Sequence, residues 1–343
     1  MSTFFSDLVE AVKDEDTSIL ADGQSSGEFS GYVDTGCYML NAAMSGSLYG
    51  GIPNNKVTAF AGESATGKTF FVLSAVKQFL EANPTGGVVY YDTEAAVTRE
   101  MMESRGIDPS RVIIAEPQTI QQFKTHALKM LDAYIERDDK KGSAPPMMMV
   151  LDSLGLLSTN KELEDSTDGK DVRDMTKSQV IKATFRVLTL KLAKAKVPML
   201  VTNHVYEVIG SYVPTKEMGG GTGLKYAASS IVFLGKKKEK DGKEQIGNII
   251  KVRMHKSRFT KENCQVELLL DFQKGLHKWY GLLEFAEQHG LVERSGARYT
   301  FPANEGQASA YAKAIYAEPE KYFTEPVMEA IEYTINKEFK YGE

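Results

Sequence analysis

Gly62-Glu63-Ser64-Ala65-Thr66-Gly67-Lys68-Thr69 follows the mostly apolar run Lys56-Val57-Thr58-Ala59-Phe60-Ala61 and precedes Phe70-Phe71-Val72-Leu73-Ser74-Ala75-Val76-Lys77-Gln78-Phe79-Leu80. The first run reads as a buried strand, and the last has the length and period of a helix. The octet between them satisfies G-x-x-x-x-G-K-[S/T] in the strand–loop–helix context that this pattern requires. Its physics is specific. Glycines let the backbone wrap a phosphate, successive N–H groups and the helix N-terminus point at the oxygens, and Lys68 adds a mobile cation. Thr69 is placed to ligate Mg²⁺ beside the β- and γ-phosphates. Residues 62–69 therefore imply a nucleoside triphosphate site.

Outward from this loop, strands and helices alternate from 56 to 203. Strands are expected at 56–62, Val88–Asp92, Val112–Glu116, Met147–Asp152 and Pro198–Asn203, with helices at 67–82, 98–105, 118–136 and 176–195. Such alternation predicts an α/β fold, a mostly parallel central sheet with helices on both faces. Phosphate chemistry then belongs at the carboxyl ends of the strands. Ser230–Leu234, Asn248–Met254 and Gln265–Phe272 read as an antiparallel extension. Ser158–Asp174 and Tyr206–Leu224 lack regular periodicity, and the second holds Gly219-Gly220-Gly221-Thr222-Gly223. Structureless loops longer than about 12–15 residues in a compact domain are usually functional or disordered.

The apolar strand Met147-Met148-Met149-Val150-Leu151 ends in Asp152, a position from which a carboxylate holds Mg²⁺ directly or through water. Val88-Val89-Tyr90-Tyr91-Asp92 leads into Thr93-Glu94, which places Glu94 to polarise a water attacking the γ-phosphate. Asp92 reads equally as a supporting carboxylate or a turn residue. His204, with Asn203 beside it, ends the strand that feeds the glycine-rich loop. A polar side chain there can sense the γ-phosphate and shift the loop.

At 343 residues the chain can hold one large α/β core with small additions at each end. No long apolar run and no basic-then-apolar leader are visible, and the two cysteines, Cys37 and Cys264, are too few for a disulfide framework or a zinc site. A soluble protein of a reducing cytoplasm is expected. The net charge of −5 hides an asymmetry: residues 1–30 carry one basic and seven acidic side chains, and 284–343 carry six and eleven. Residues 31–283 hold 34 basic against 28 acidic, and 236–261 alone hold ten against three. A mildly basic middle between acidic ends is a statement about partners.

Taken in order, the 62–69 loop, Tyr-Asp-Thr-Glu at 91–94, Arg105-Gly106-Ile107-Asp108-Pro109, Leu151-Asp152-Ser153-Leu154-Gly155, Asp174-Met175-Thr176, Thr202-Asn203-His204, Met218 to Gly223 and His255-Lys256-Ser257-Arg258 resemble the RecA family of recombinases, in particular its UvsX-like phage-type branch. The similarity runs over roughly 30–285. The resemblance implies a RecA-like P-loop ATPase core at 31–283, an N-terminal oligomerisation arm at 1–30 with Phe4, Phe5 or Leu8 as anchors, and a small acidic C-terminal region at 284–343. It implies ATP and Mg²⁺ at subunit interfaces of a helical filament on single-stranded DNA, which takes up homologous duplex DNA. Single-strand-binding and mediator proteins are implied as further partners, in the cytoplasm of a bacterial host.

By the same resemblance the two long loops face DNA, and a basic pair reaching the neighbour's γ-phosphate maps onto Lys256 and Arg258. Candidates for DNA contact are Lys170, Arg173, Lys177, Tyr206, Tyr212, Lys216 and Gly219, Gly220 and Gly221. The Lys236-Lys237-Lys238 run reads as a solvated hairpin edge or as a capture point for duplex. Where the family stacks a Tyr on adenine, this chain has Met101, whose thioether can pack on a base face. A hexameric RecA-like helicase and a regulatory ATP switch that binds no DNA are the rival readings; the second leaves the long loops and the basic segment idle.

Overall fold

The computed structural model describes residues 3–12, 17–22, 27, 31–141, 144–170, 174–207, 216–241, 244–304, 306 and 309–342. Its centre is a ten-stranded sheet. Numbered along the chain, the strands are β1 (Val57–Gly62), β2 (Gly87–Asp92), β3 (Val112–Ala115), β4 (Met147–Asp152), β5 (Met199–Glu207), β6 (Lys216–Met218), β7 (Ser230–Asp241), β8 (Glu244–Ser257), β9 (Gln265–Asp271) and β10 (Gly275–Leu276). Their order is β10-β9-β8-β7-β1-β5-β4-β2-β3, with β6 paired to β5.

Alternation along the strands divides the core into two layers. In β1, Phe60 faces one apolar cluster with Phe71 and Phe79, while Val57, Ala59 and Ala61 face another with Phe123, Phe185 and Leu188. Val88 and Tyr90 of β2 join the first cluster, and Val89 and Tyr91 the second. This period of two, with both faces apolar, is what a parallel sheet covered on both sides demands. Helix Lys68–Ala82 covers the first face. Helices Ile120–Lys141 and Lys177–Lys194 cover the second.

Two expectations need correction. β7 is not antiparallel: it pairs parallel with β1, Thr58 opposite Ser230 and Gly62 opposite Leu234. The short helix Thr222–Ala227 lies between β6 and β7 and makes a crossover out of what reads as loop, so the antiparallel part begins one strand later, at β8. The stretch 158–174 is also not structureless. It contains helix Asn160–Thr167, opened by a capping box in which Thr159 Oγ1 accepts from Glu162 N and the Glu162 carboxylate accepts from Thr159 N.

The first cluster continues past the sheet. Helix Glu325–Phe339 contributes Val327, Met328, Ile331, Ile335 and Phe339 to the same core as Phe60 and Phe71. Helix Thr3–Val12, by contrast, leaves Phe4, Phe5, Leu8 and Val12 exposed.

Candidate nucleotide site and its flanking loops

β1 delivers the chain to the phosphate loop at Gly62, and the helix that begins at Lys68 receives it. Ala65 (φ 56°) and Gly67 (φ 90°) are both left-handed, which turns successive N–H groups into a concave anion cradle. Gly67 has a second reason to be glycine: a Cβ there would meet Leu270 Cδ2 at 2.8 Å. Lys68 is buried, its ammonium donating to the carbonyls of Gly62 (3.1 Å) and Glu63 (2.9 Å). Burial lowers its pKa, and the nearby carboxylates of Glu94 and Asp152 oppose that shift. Glu63, Ser64 and Ala65 are exposed, Thr66 is buried, and the Thr66 hydroxyl closes the turn onto Glu63 O at 2.9 Å. Lys236 of β7 donates to Ala65 O at 3.1 Å.

Asp152, at the tip of β4, is buried and takes three hydroxyl donors: Thr69 Oγ1 (2.8 Å), Tyr90 OH (2.8 Å) and Thr202 Oγ1. Burial, and then the Asp152 charge, raise the Tyr90 pKa well above its ordinary value, so the phenol stays a donor. Thr69 and Asp152 bring a hydroxyl and a carboxylate oxygen together, a donor set suited to a hard cation. Among the described residues no group of three or more His, Cys, Asp or Glu side chains can hold a metal. Mg²⁺ here would therefore draw its remaining ligands from phosphate and water.

The next strand tips add Glu94 and His204. Asp92 accepts from Glu94 N (3.0 Å) and Val97 N (2.9 Å), which makes it the residue that shapes the turn carrying Glu94. Thr93 clips this turn to β4 through Ser153, accepting from its N–H and donating to its carbonyl, each at 2.8 Å. His204 Nε2 lies 3.5 Å from Glu94 Oε1. His204 O accepts from Gly219 N (3.0 Å), and Asn203 Nδ2 donates to Gly219 O (2.9 Å). Glu94, His204, Asn203 and Gly219 thus form one continuous chain of contacts from the phosphate side to the glycine-rich turn.

Residues 10–277 match the RecA N-terminal domain. The chain belongs to the RecA family. It is 34% identical over 260 residues to the recombination and repair protein of Enterobacteria phage T4, across 76% of this chain and 64% of the phage protein's length. Protein RecA of Streptomyces rimosus is 27% identical over 303 residues, across 86% of this chain and 75% of that protein. A solved structure of the RadB recombinase shares the fold with a TM-score of 0.51 at 21% identity, over 72% of this chain and 99% of that one. Among the described residues no helix is long and apolar enough to cross a membrane.

Within this RecA-family core, Lys256 and Arg258 lie at the other end of the sheet. Ser257 pairs with Ser230, which pairs with Thr58 at the start of β1, about 13 Å along the strand from Gly62. Lys256 donates to the carbonyls of Lys225 (2.7 Å), Tyr226 (3.4 Å) and Ala228 (2.7 Å), closing the C-terminus of helix Thr222–Ala227. Burial lowers its pKa, and Arg258 and Lys225 lower it further. Arg258 is exposed.

The remaining candidates are dispersed around the two loops. Lys170 is exposed and pairs with Asp168 at 3.2 Å; Lys177 is part-buried and pairs with Glu162 at 3.1 Å. Tyr206 is exposed on β5, Lys216 opens β6, and Arg173 and Tyr212 lie outside the described residues. At Gly219 a Cβ would meet Tyr206 Cε2 at 2.9 Å, so a side chain there would push the exposed Tyr206 ring aside. Gly220 (φ 81°) and Gly221 (φ 73°) are left-handed and pack on Ile181 and Ser178 of helix Lys177–Lys194. Met101 sits in helix Arg99–Glu103, partly buried against the first cluster.

Sequence reasoning missed four contributors. Tyr90 and Thr202 meet Asp152 only through strand register, 62 and 50 residues away along the chain. Lys236 reaches the phosphate loop from 171 residues away. Asp174 anchors the first loop, accepting from Thr159 Oγ1 (2.6 Å), Thr176 N (2.8 Å) and Thr176 Oγ1 (2.7 Å), and these bonds hold its carboxyl down at about 2. Two readable signals bear on Asp174: the Thr159-x-x-Glu162 capping-box spacing and the Asp174-Met175-Thr176 stretch that carries part of the family resemblance.

Proposed function

We propose that this chain is an ATP-dependent DNA strand-exchange recombinase, assembling as a helical filament on single-stranded DNA and pairing it with homologous duplex. The observation that carries the reading is the contact chain Glu94–His204–Asn203–Gly219, which joins the nucleotide side of the sheet to one long loop. Residues 62–69 hold the triphosphate of ATP, and Lys68 exchanges its carbonyl partners for β- and γ-phosphate oxygens. Thr69 and Asp152 would hold Mg²⁺, which when bound would supply charge neutralisation at those oxygens. Tyr90 and Thr202 orient the Asp152 carboxylate for that task.

Glu94 accepts the proton of the attacking water. His204, within reach of Glu94, shifts with it and carries the change through Asn203 to Gly219 and the loop that grips DNA. Lys256 and Arg258 act on the neighbouring protomer's γ-phosphate, since their end of the sheet is remote from the phosphate loop of their own chain. The exposed apolar face of helix Thr3–Val12 serves self-association as the N-terminal arm. DNA contact falls to Lys170, Arg173, Lys177, Tyr206, Tyr212 and Lys216, and the protein acts in the cytoplasm of the host cell alongside single-strand-binding and mediator proteins.

Electron microscopy with single-stranded DNA and a non-hydrolysable ATP analogue tests this reading. Helical filaments that need the nucleotide, and that Lys68→Ala abolishes, are the expected result. Closed rings would point to a ring motor. Absence of any DNA-bound assembly would leave a protein-binding switch.

A further inference from the structure

The residue at the family's base-stacking position, Met101, does not present a flat face: its side chain packs against the apolar core. A flat face lies beside it. The guanidinium of Arg105 is 4.5 Å from the centroid of the Phe70 ring, and Arg105 Nη1 donates to Met101 O at 3.0 Å. Phe70 immediately follows Lys68 and Thr69 in the first turn of the phosphate-loop helix. If Lys68 takes the β- and γ-phosphates and Thr69 the Mg²⁺ beside them, the α-phosphate and the nucleoside leave the loop past Phe70. Phe70 is 37% exposed and its ring lies under the Arg105 guanidinium, so the nucleoside meets this pair next.

We infer that Arg105, braced by Phe70 and the Met101 carbonyl, is the base-contact residue of this site, and that it selects purine over pyrimidine nucleoside triphosphates by stacking. This rests on the reading of residues 62–69 as the triphosphate site. One face of the guanidinium lies on Phe70; the other is planar, cationic and weakly hydrated, a good partner for an aromatic base. A purine offers the larger ring area for such a stack. The hydrogen bond to Met101 O fixes the plane, so little side-chain entropy is lost when a base arrives.

The test is calorimetric titration with ATP, GTP, CTP and inorganic tripolyphosphate, each with Mg²⁺, on the native chain, Arg105→Ala, Arg105→Lys and Lys68→Ala. Native protein should bind ATP and GTP about tenfold more tightly than CTP. Arg105→Ala should bring the purines to within about twofold of CTP while leaving CTP and tripolyphosphate unchanged. Arg105→Lys keeps the charge without the plane and should behave like Arg105→Ala. Equal binding of purines and CTP by the native chain, or an Arg105→Ala that weakens all four ligands in proportion or none, overturns the assignment. Lys68→Ala should weaken all four; intact tripolyphosphate binding there would overturn the phosphate-site reading itself, a separate failure.

Discussion

Lys68 and Lys256 are both lysines whose ammonium groups rest on backbone carbonyls and whose pKa values burial lowers, yet they sit at opposite ends of the parallel sheet in opposite company. Around Lys68 the carboxylates of Glu94 and Asp152 pull the pKa back up. Around Lys256 the neighbours are Arg258 and Lys225, with Glu262 opposing them, and Lys56, lowered first by burial, is lowered further by Arg258. One end carries its counter-charges in its own chain. The other accumulates cations on the side remote from its own phosphate loop, so its natural counter-ion is an anion brought from outside. The active site divided between two protomers that we propose would have this distribution, because excess positive charge gains most where a transition state gathers negative charge.

The contrast breaks if the basic end proves idle. Arg258→Ala should lower DNA-stimulated ATP hydrolysis about 10³-fold or more, while the unassembled chain binds nucleotide as before. Full turnover in that variant would assign the site to a single protomer. Glu94→Gln should lower hydrolysis about 10²–10⁴-fold with nucleotide binding intact, because shape survives and the proton acceptor does not. Single-turnover rates at saturating ATP decide this, and an unchanged rate removes Glu94 from the chemistry.

The first loop should respond to acid in a direction its anchor fixes. The Asp174 carboxyl lies at about 2 in the fold against an ordinary 3.8, so its stabilising bonds are complete above pH about 4 and are lost as pH falls toward 2. Amides of helix Asn160–Thr167 should exchange faster at pH 2.5 than the intrinsic rate change accounts for, and Asp174→Asn should reproduce the loosening at neutral pH. Identical protection in both chains would mean the anchor is not Asp174. The smallest effect belongs to Lys236→Ala, which removes one exposed bond to the phosphate loop: the KM for ATP should rise about threefold. A KM unchanged within error would make that bond incidental.

Much of the phosphate end was legible because a motif and two periods coincide there. The loop announces itself through its motif, β1, β2, β4 and β5 through short apolar runs, and Asp152 and Glu94 through their place at strand ends. Periodicity reports which face is buried, not which strand lies next to which. That is why β7 read as antiparallel, although it lies parallel to β1, and why the hydroxyls of Tyr90 and Thr202 could not be assigned to Asp152. The polar composition of 158–174 masked helix Asn160–Thr167; its capping box was the stronger signal and outweighs composition. Lys256 and Arg258 come through resemblance alone, and no pattern in the sequence places them at the end of the sheet remote from the phosphate loop.

Sequence similarity to the RecA N-terminal domain stops at residue 277, but the protein offers no seam there. Val327, Met328, Ile331, Ile335 and Phe339 belong to the cluster that holds the phosphate-loop helix. At about 1.5–3 kcal/mol for each side chain, their burial amounts to roughly 10 kcal/mol, comparable with the whole stability of an ordinary domain. Exchanging the end of this chain for a relative's is therefore not a module swap. The graft must bring a matching apolar surface, or the nucleotide site at the other end of the sequence loses its footing.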